Sequence, residues 1–139
     1  MTYIKLFLVT LPVFALLDFL WLGIIAKNFY LKNIGFIIRL KDGQMDPNWI
    51  ATFLVYIVLV LGVAVFVLPK FAGSPIDFKV FLYGALFGLV VYGVYDLTNL
   101  ALVKNWPVNV VVVDIVWGMF VYGLTSLLAG LFARFLKLI

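Results

Sequence analysis

Residues Val80 to Val103 read VFLYGALFGLVVYGVYDLTNLALV, and after Lys104-Asn105-Trp106-Pro107 the chain resumes as VNVVVVDIVWGMFVYGLTSLLAGLFARF from Val108 to Phe135. A helix rises 1.5 Å per residue and a bilayer core is about 30 Å thick, so roughly 20 apolar residues cross it. Each run is long enough. The four residues between them end in Trp-Pro, which a helix does not pass through without a break. The pair therefore reads as a tight membrane hairpin.

Working outward, two more apolar runs appear, one from Tyr3 to Ala26 and one from Trp49 to Leu68. None of the four shows the period-2 alternation of a barrel strand. The sequence thus predicts an all-α, polytopic membrane protein: a single four-transmembrane-helix bundle over residues 1–139, with spans at 3–26, 49–68, 80–103 and 107–135. Composition agrees. The chain is 67% hydrophobic and 12% charged, against about 45–50% and 25% for soluble domains, which excludes a water-soluble globule. The first run is longer than a signal h-region and lacks an A-x-A cleavage site, so it is expected to stay as a span.

With no His and no Cys, Ser-His-Asp triads, thiol nucleophiles, disulfides and the usual zinc sets are excluded. The net charge of +4 comes from cations scattered at the ends of apolar runs, the pattern of headgroup anchors and not of a nucleic-acid surface. Between the first two spans, Asn28, Lys32, Gly35, Arg39 and Asp42 form one helical stripe and Tyr30, Ile34, Ile37, Ile38 and Met45 another. That pattern predicts an interfacial amphipathic helix between helices 1 and 2, over Asn28 to Asp46. Five cations fall on the side of the termini and five on the other. Those beside the termini all adjoin helix ends, which favours cytoplasmic termini.

Three acids lie inside spans: Asp18, Asp96 and Asp114. An ionisable residue there costs on the order of 2.5–3.5 kcal/mol on insertion scales and marks a functional site by default. Asp18 precedes Lys27 by nine residues, Asp96 precedes Lys104 by eight, and Asp114 follows Pro107 by seven. All three therefore share a depth of roughly 10–14 Å below one surface, and a compact bundle can bring them to one spot. Tyr92, Asp96 and Asn99 share one face of the third helix, Asn109 opens the fourth, and Trp21 and Trp117 lie in the same half of the membrane. The set Asp18, Trp21, Tyr92, Asp96, Asn99, Asn109, Asp114 and Trp117 reads as a polar cup with aromatic walls. Gly84-x-x-x-Gly88 and Ser126-x-x-x-Gly130 permit close helix approach, and intrachain packing is their first reading.

The segments Leu17-Asp18-Phe19-Leu20-Trp21-Leu22-Gly23, Tyr92-Gly93-Val94-Tyr95-Asp96-Leu97-Thr98-Asn99 with Trp106-Pro107, and Asp114-Ile115-Val116-Trp117-Gly118 resemble the bacterial DUF2177 family of predicted membrane proteins over nearly the whole chain. The resemblance implies four spans in a bacterial inner membrane and carries no mechanism. In architecture alone the chain is also similar to lipoprotein signal peptidases, which place one catalytic Asp in the third span and one in the fourth. Their motifs are not matched around Asp96 or Asp114.

Three functions are compatible with these residues. The first is binding or transport of a small cation, a proton or a lipid-like ligand at the acids. The second is an intramembrane enzyme on a lipid or lipopeptide, with Asp96 and Asp114 as a proton-sharing catalytic dyad. The third is a noncatalytic scaffold whose partners are the bilayer and another membrane protein or a second copy. No metal-ligand set is read, and any cofactor remains unnamed.

Overall fold

The computed structural model describes residues 2–139. Four helices are long and apolar enough to cross a membrane: Thr2–Ile25, Trp49–Phe71, Phe78–Leu102 and Val108–Phe135. The first consists of α1 (Thr2–Leu20) and a π-helical turn over Trp21–Ile25. Then follow α2 (Lys27–Ile34), a hairpin of β1 (Leu40–Lys41) and β2 (Gln44–Met45), and α3 (Trp49–Gly62). The last two spans are α4 (Phe78–Leu102) and α5 (Val108–Phe135).

The interfacial helix is shorter than its periodicity predicts. It stops at Ile34, with Gly35 as its cap, and the rest of the 28–46 segment folds as the hairpin. The cause is Asp42-Gly43, with φ of 51° and 74°. These two left-handed residues between the paired Lys41 and Gln44 make the tight turn that Asp-Gly favours. Nor does α2 merely lie on the headgroups. Its Tyr30 is buried with Ala26, Trp106, Val110 and Val111 against the start of α5.

The second span also runs past its predicted end. After α3 the helix widens into a π turn over Val63–Val67 and then tightens into a 3-10 turn over Leu68–Phe71. Pro69 has no N–H to donate, so the regular ladder fails near it.

In lipid there is little hydrophobic force between helices, so close packing of small residues and interhelical hydrogen bonds must hold the bundle. The interface of α4 with α5 is the largest in the molecule and is built that way. A Cβ on Gly84 would lie 2.5 Å from the Tyr122 carbonyl oxygen, and one on Gly88 only 2.1 Å from that of Gly118. The small-residue motif thus serves packing within the chain. α5 is the most buried span. Phe14, Val60, Val63, Val80, Val121 and Tyr122 fill the centre, with Phe14 and Tyr122 edge to face at 5.3 Å between ring centroids.

An even number of spans puts both ends of the chain on one side, and the structure ties that side together: the Arg134 guanidinium donates to the Ser74 carbonyl. Cysteines introduced at Ser74 and Ile139 are therefore expected to react with an impermeant maleimide from the same face, and one at Gly43 from the opposite face. Labelling of Ser74 and Gly43 from one face would remove a span.

Candidate functional site

The π turn at the end of the first span, closed by the Ala26 N–H on the Trp21 carbonyl at 2.7 Å, adds one residue to the helical circuit. It lies where Trp21 meets Trp117 of α5, the two indoles stacked 4.4 Å apart and within 5° of parallel. Each indole serves a different acid. Trp117 Nε1–H donates to Asp18 Oδ1 at 3.3 Å, and the Tyr56 hydroxyl donates to Asp18 Oδ2 at 2.8 Å. Trp21 Nε1–H donates to the Tyr30 hydroxyl at 3.1 Å, and Tyr30 donates to Asp114 Oδ1. One network therefore runs from Tyr56 through Asp18 and Trp117, across the indole stack, and through Trp21 and Tyr30 to Asp114.

This arrangement answers how two acids are tolerated in the bundle. Asp18 is only 3% exposed, and both its oxygens accept a hydrogen bond, which is the condition for burying a carboxyl group. Burial and the adjoining Asp114 push the Tyr30 phenol above its ordinary value, so Tyr30 stays neutral and remains a donor. Two members of the network, Tyr30 and Tyr56, were not among the sequence candidates. Tyr56 could have been found, since it follows Trp49 by seven residues and so shares the depth of the acids. Tyr30 could not, because it reaches Asp114 only through the docking of α2.

Asp96 stands apart from this network. The register of the hairpin, with Tyr92 against Gly118, sets Asp96 level with Asp114. Yet the two make no hydrogen bond of the kind a proton-sharing dyad requires. Asp96 is 0% exposed, and neither of its oxygens has a partner among the described residues. Asn99 Nδ2 and Trp106 Nε1 are buried without partners as well. Among the described residues no group of three or more acidic, His or Cys side chains could hold a metal ion.

The remaining candidates lie around these centres. Tyr92 packs on Gly118 and edge to face on Tyr122, 6.2 Å between ring centroids. Asn109 is exposed at the start of α5, where its amide donates to Asn33 Oδ1 at 2.7 Å. It fastens α2 to α5 and does not reach the acids.

Beside the Asp18 end of the network lies a groove of about 510 Å³. Its walls are Phe19, Leu22 and Gly23 of the first span, Ile38 and Met45 of the interfacial segment, and Trp49 and Thr52 of α3. Tyr56 forms its floor, and Lys27, Arg39 and Gln44 stand around it. Mostly apolar walls with a few convergent polar groups are the usual make-up of a small-molecule site.

No curated protein and no solved structure matches the chain. The sequence profile described as predicted membrane protein, DUF2177, matches residues 3–131. With four membrane-crossing helices and a profile match over nearly its whole length, the chain belongs to the DUF2177 family of predicted membrane proteins.

Proposed function

We propose that this multi-pass membrane protein binds an amphiphilic, lipid-like ligand in the groove between the first span, the interfacial segment and α3. The observation that carries the reading is the groove itself, apolar along its walls and floored by Tyr56, whose hydroxyl is already engaged by Asp18. A small cation fits Asp18 and Asp114 less well. Both oxygens of Asp18 face hydrogen-bond donors, and Asp114 faces the Tyr30 hydroxyl; donors aimed at a carboxylate compete with cation coordination. On this reading the Asp18–Asp114 network holds the groove floor in place. In a bacterial inner membrane with cytoplasmic termini, the groove opens in the outer leaflet.

The test is a phospholipid with a diazirine on its acyl chain, carried in nanodiscs with the full chain and irradiated. Crosslinks are expected to concentrate on residues 19–27 and 38–52. The nearest atoms to a Cβ on Gly23 belong to the Phe19 ring, at 3.5 Å, and both residues line the groove, so a side chain there extends along a groove wall. Gly23→Trp is expected to cut those crosslinks by about tenfold, a loss of about 1.4 kcal/mol in binding. Crosslinks spread evenly over the lipid-facing sides of α3 and α4, and indifferent to Gly23→Trp, would overturn the proposal.

A further inference from the structure

Building on the lipid-groove reading, we infer that the ligand carries an anionic phosphate headgroup, held between Lys27 and Arg39. Three features of the groove mouth point the same way. Lys27 follows the end of the first span, while Arg39 lies just before β1 on the interfacial segment, so the two cations come from different walls of one groove. Both positions are fixed. The Lys27 ammonium donates to Gln44 Oε1 of β2, and the Arg39 carbonyl accepts from the Asp46 N–H at 2.9 Å.

Their donors remain in large part available. An ammonium has three N–H groups and Lys27 gives one to a neutral amide. The exposed Arg39 guanidinium carries five in a fork suited to two phosphate oxygens.

The second feature is charge. Among the described residues no Asp or Glu lines the groove. The nearest acids in sequence, Asp42 at the hairpin tip and Asp46 beside Pro47, do not border it. Two positive charges without a lining counter-charge select an anion.

The third is the α3 N-terminus. Pro47, Trp49 and Thr52 line the groove where α3 begins, capped by the Asn48 side chain on the Ala51 N–H at 3.1 Å. The positive end of that helix dipole adds to the pull on a negative group.

The walls commit this anion to a lipid and not to free phosphate. From Trp49, exposed at the surface end of α3, to Tyr56 is seven residues, or about 10 Å of helix. Over that depth Phe19 and Leu22 of the first span give an apolar channel below Lys27, and Ile38 and Met45 add apolar surface at the mouth, next in sequence to Arg39 and Gln44. Free phosphate would use the mouth and leave the channel unfilled. A phospholipid uses both.

The experiment is competition against the diazirine lipid in phosphatidylcholine nanodiscs, with matched-chain phosphatidylglycerol, phosphatidic acid or phosphatidylcholine, or with inorganic phosphate, as competitors. Anionic lipids are expected to compete about tenfold better than phosphatidylcholine, a difference of about 1.4 kcal/mol. Lys27→Gln with Arg39→Gln is expected to erase that preference while leaving the crosslinked residues unchanged. Lys32→Gln, in the same segment but outside the groove, is expected to keep it. If the double variant does not fold, Arg39→Gln alone changes only an exposed side chain, and a reduced preference is required of it.

Equal competition by anionic and zwitterionic lipids would overturn the headgroup inference and leave the groove reading standing. An undiminished preference in the charge variants would do the same. Competition by inorganic phosphate equal to that of the anionic lipids would overturn the commitment to a lipid. Failure of every lipid to compete would overturn the groove reading itself, whether the groove is then covered by a second copy or by a partner helix.

Discussion

Gly88→Ala is expected to destabilise the bundle by about 3 kcal/mol, at the upper end of the cost of overpacking a core. The new methyl would sit 2.1 Å from the Gly118 carbonyl oxygen, 2.7 Å from its carbonyl carbon and 2.9 Å from Tyr122 Cβ. Two of those three atoms are backbone, so no rotamer change relieves the clash and α4 must move away from α5. That movement also disturbs the site, because Gly118 adjoins Trp117 and packs on Tyr92. Gly93→Ala is the matched control. A Cβ there meets nothing within 4 Å, and the exchange should gain up to about 1 kcal/mol of helix propensity. Detergent-solubilised unfolding by heat or by added denaturing detergent reads both. Equal stability of the two variants would show that α4 and α5 are not in contact through Gly88.

Asp18→Leu is expected to cost about 2 kcal/mol even though it removes an acid from a membrane span. The loss of the carboxyl leaves the Tyr56 O–H and the Trp117 N–H facing a groupless site, and an orphaned buried donor costs about 1–3 kcal/mol. Relief of the buried acid offsets part of that total. Tyr56 and Asp18 are therefore expected to be energetically coupled. Tyr56→Phe alone should cost about 1 kcal/mol, and in the Asp18→Leu background it should cost close to nothing, because its hydroxyl is already without an acceptor. Additive losses would show that Tyr56 and Asp18 do not act on each other. Asp114→Asn should be milder than Asp18→Leu. Tyr30 donates to only one Asp114 oxygen, and an amide oxygen can accept that bond.

Much of the architecture was legible because the bilayer leaves few alternatives. Every backbone polar group in lipid must be bonded within its own segment, so apolar length alone specifies helices, and Pro69, Pro75 and Trp106-Pro107 mark where they break. The interfacial segment was read less well. A helical stripe over 28–46 was compatible with its apolar residues, but in a segment so short a two-residue turn outweighs periodicity. Asp42-Gly43 supplied that turn, and its signal was present in the sequence.

The acids divide differently. Their depth followed from counting residues, and the structure keeps Asp96 level with Asp114 through the α4–α5 register. What counting could not supply was direction around each helix axis. One turn is 3.6 residues, so neighbouring positions face different helices, and the packing of Gly84, Gly88, Gly118 and Ser126 sets which face meets which. That packing, together with the docking of α2, assigns Tyr56 to Asp18 and Tyr30 to Asp114, and leaves Asp96 outside the network.

The sequence by itself therefore determined that this protein lies in a membrane as four helices, and that three of its acids fall inside those spans. Both follow from length and hydropathy along one axis. The tertiary structure alone decided the indole stack, the two separate phenol–carboxyl pairs and the groove beneath Lys27 and Arg39. Those depend on helix rotation and on contacts between residues as many as 99 positions apart, where close-packed sterics and not hydropathy choose the partner.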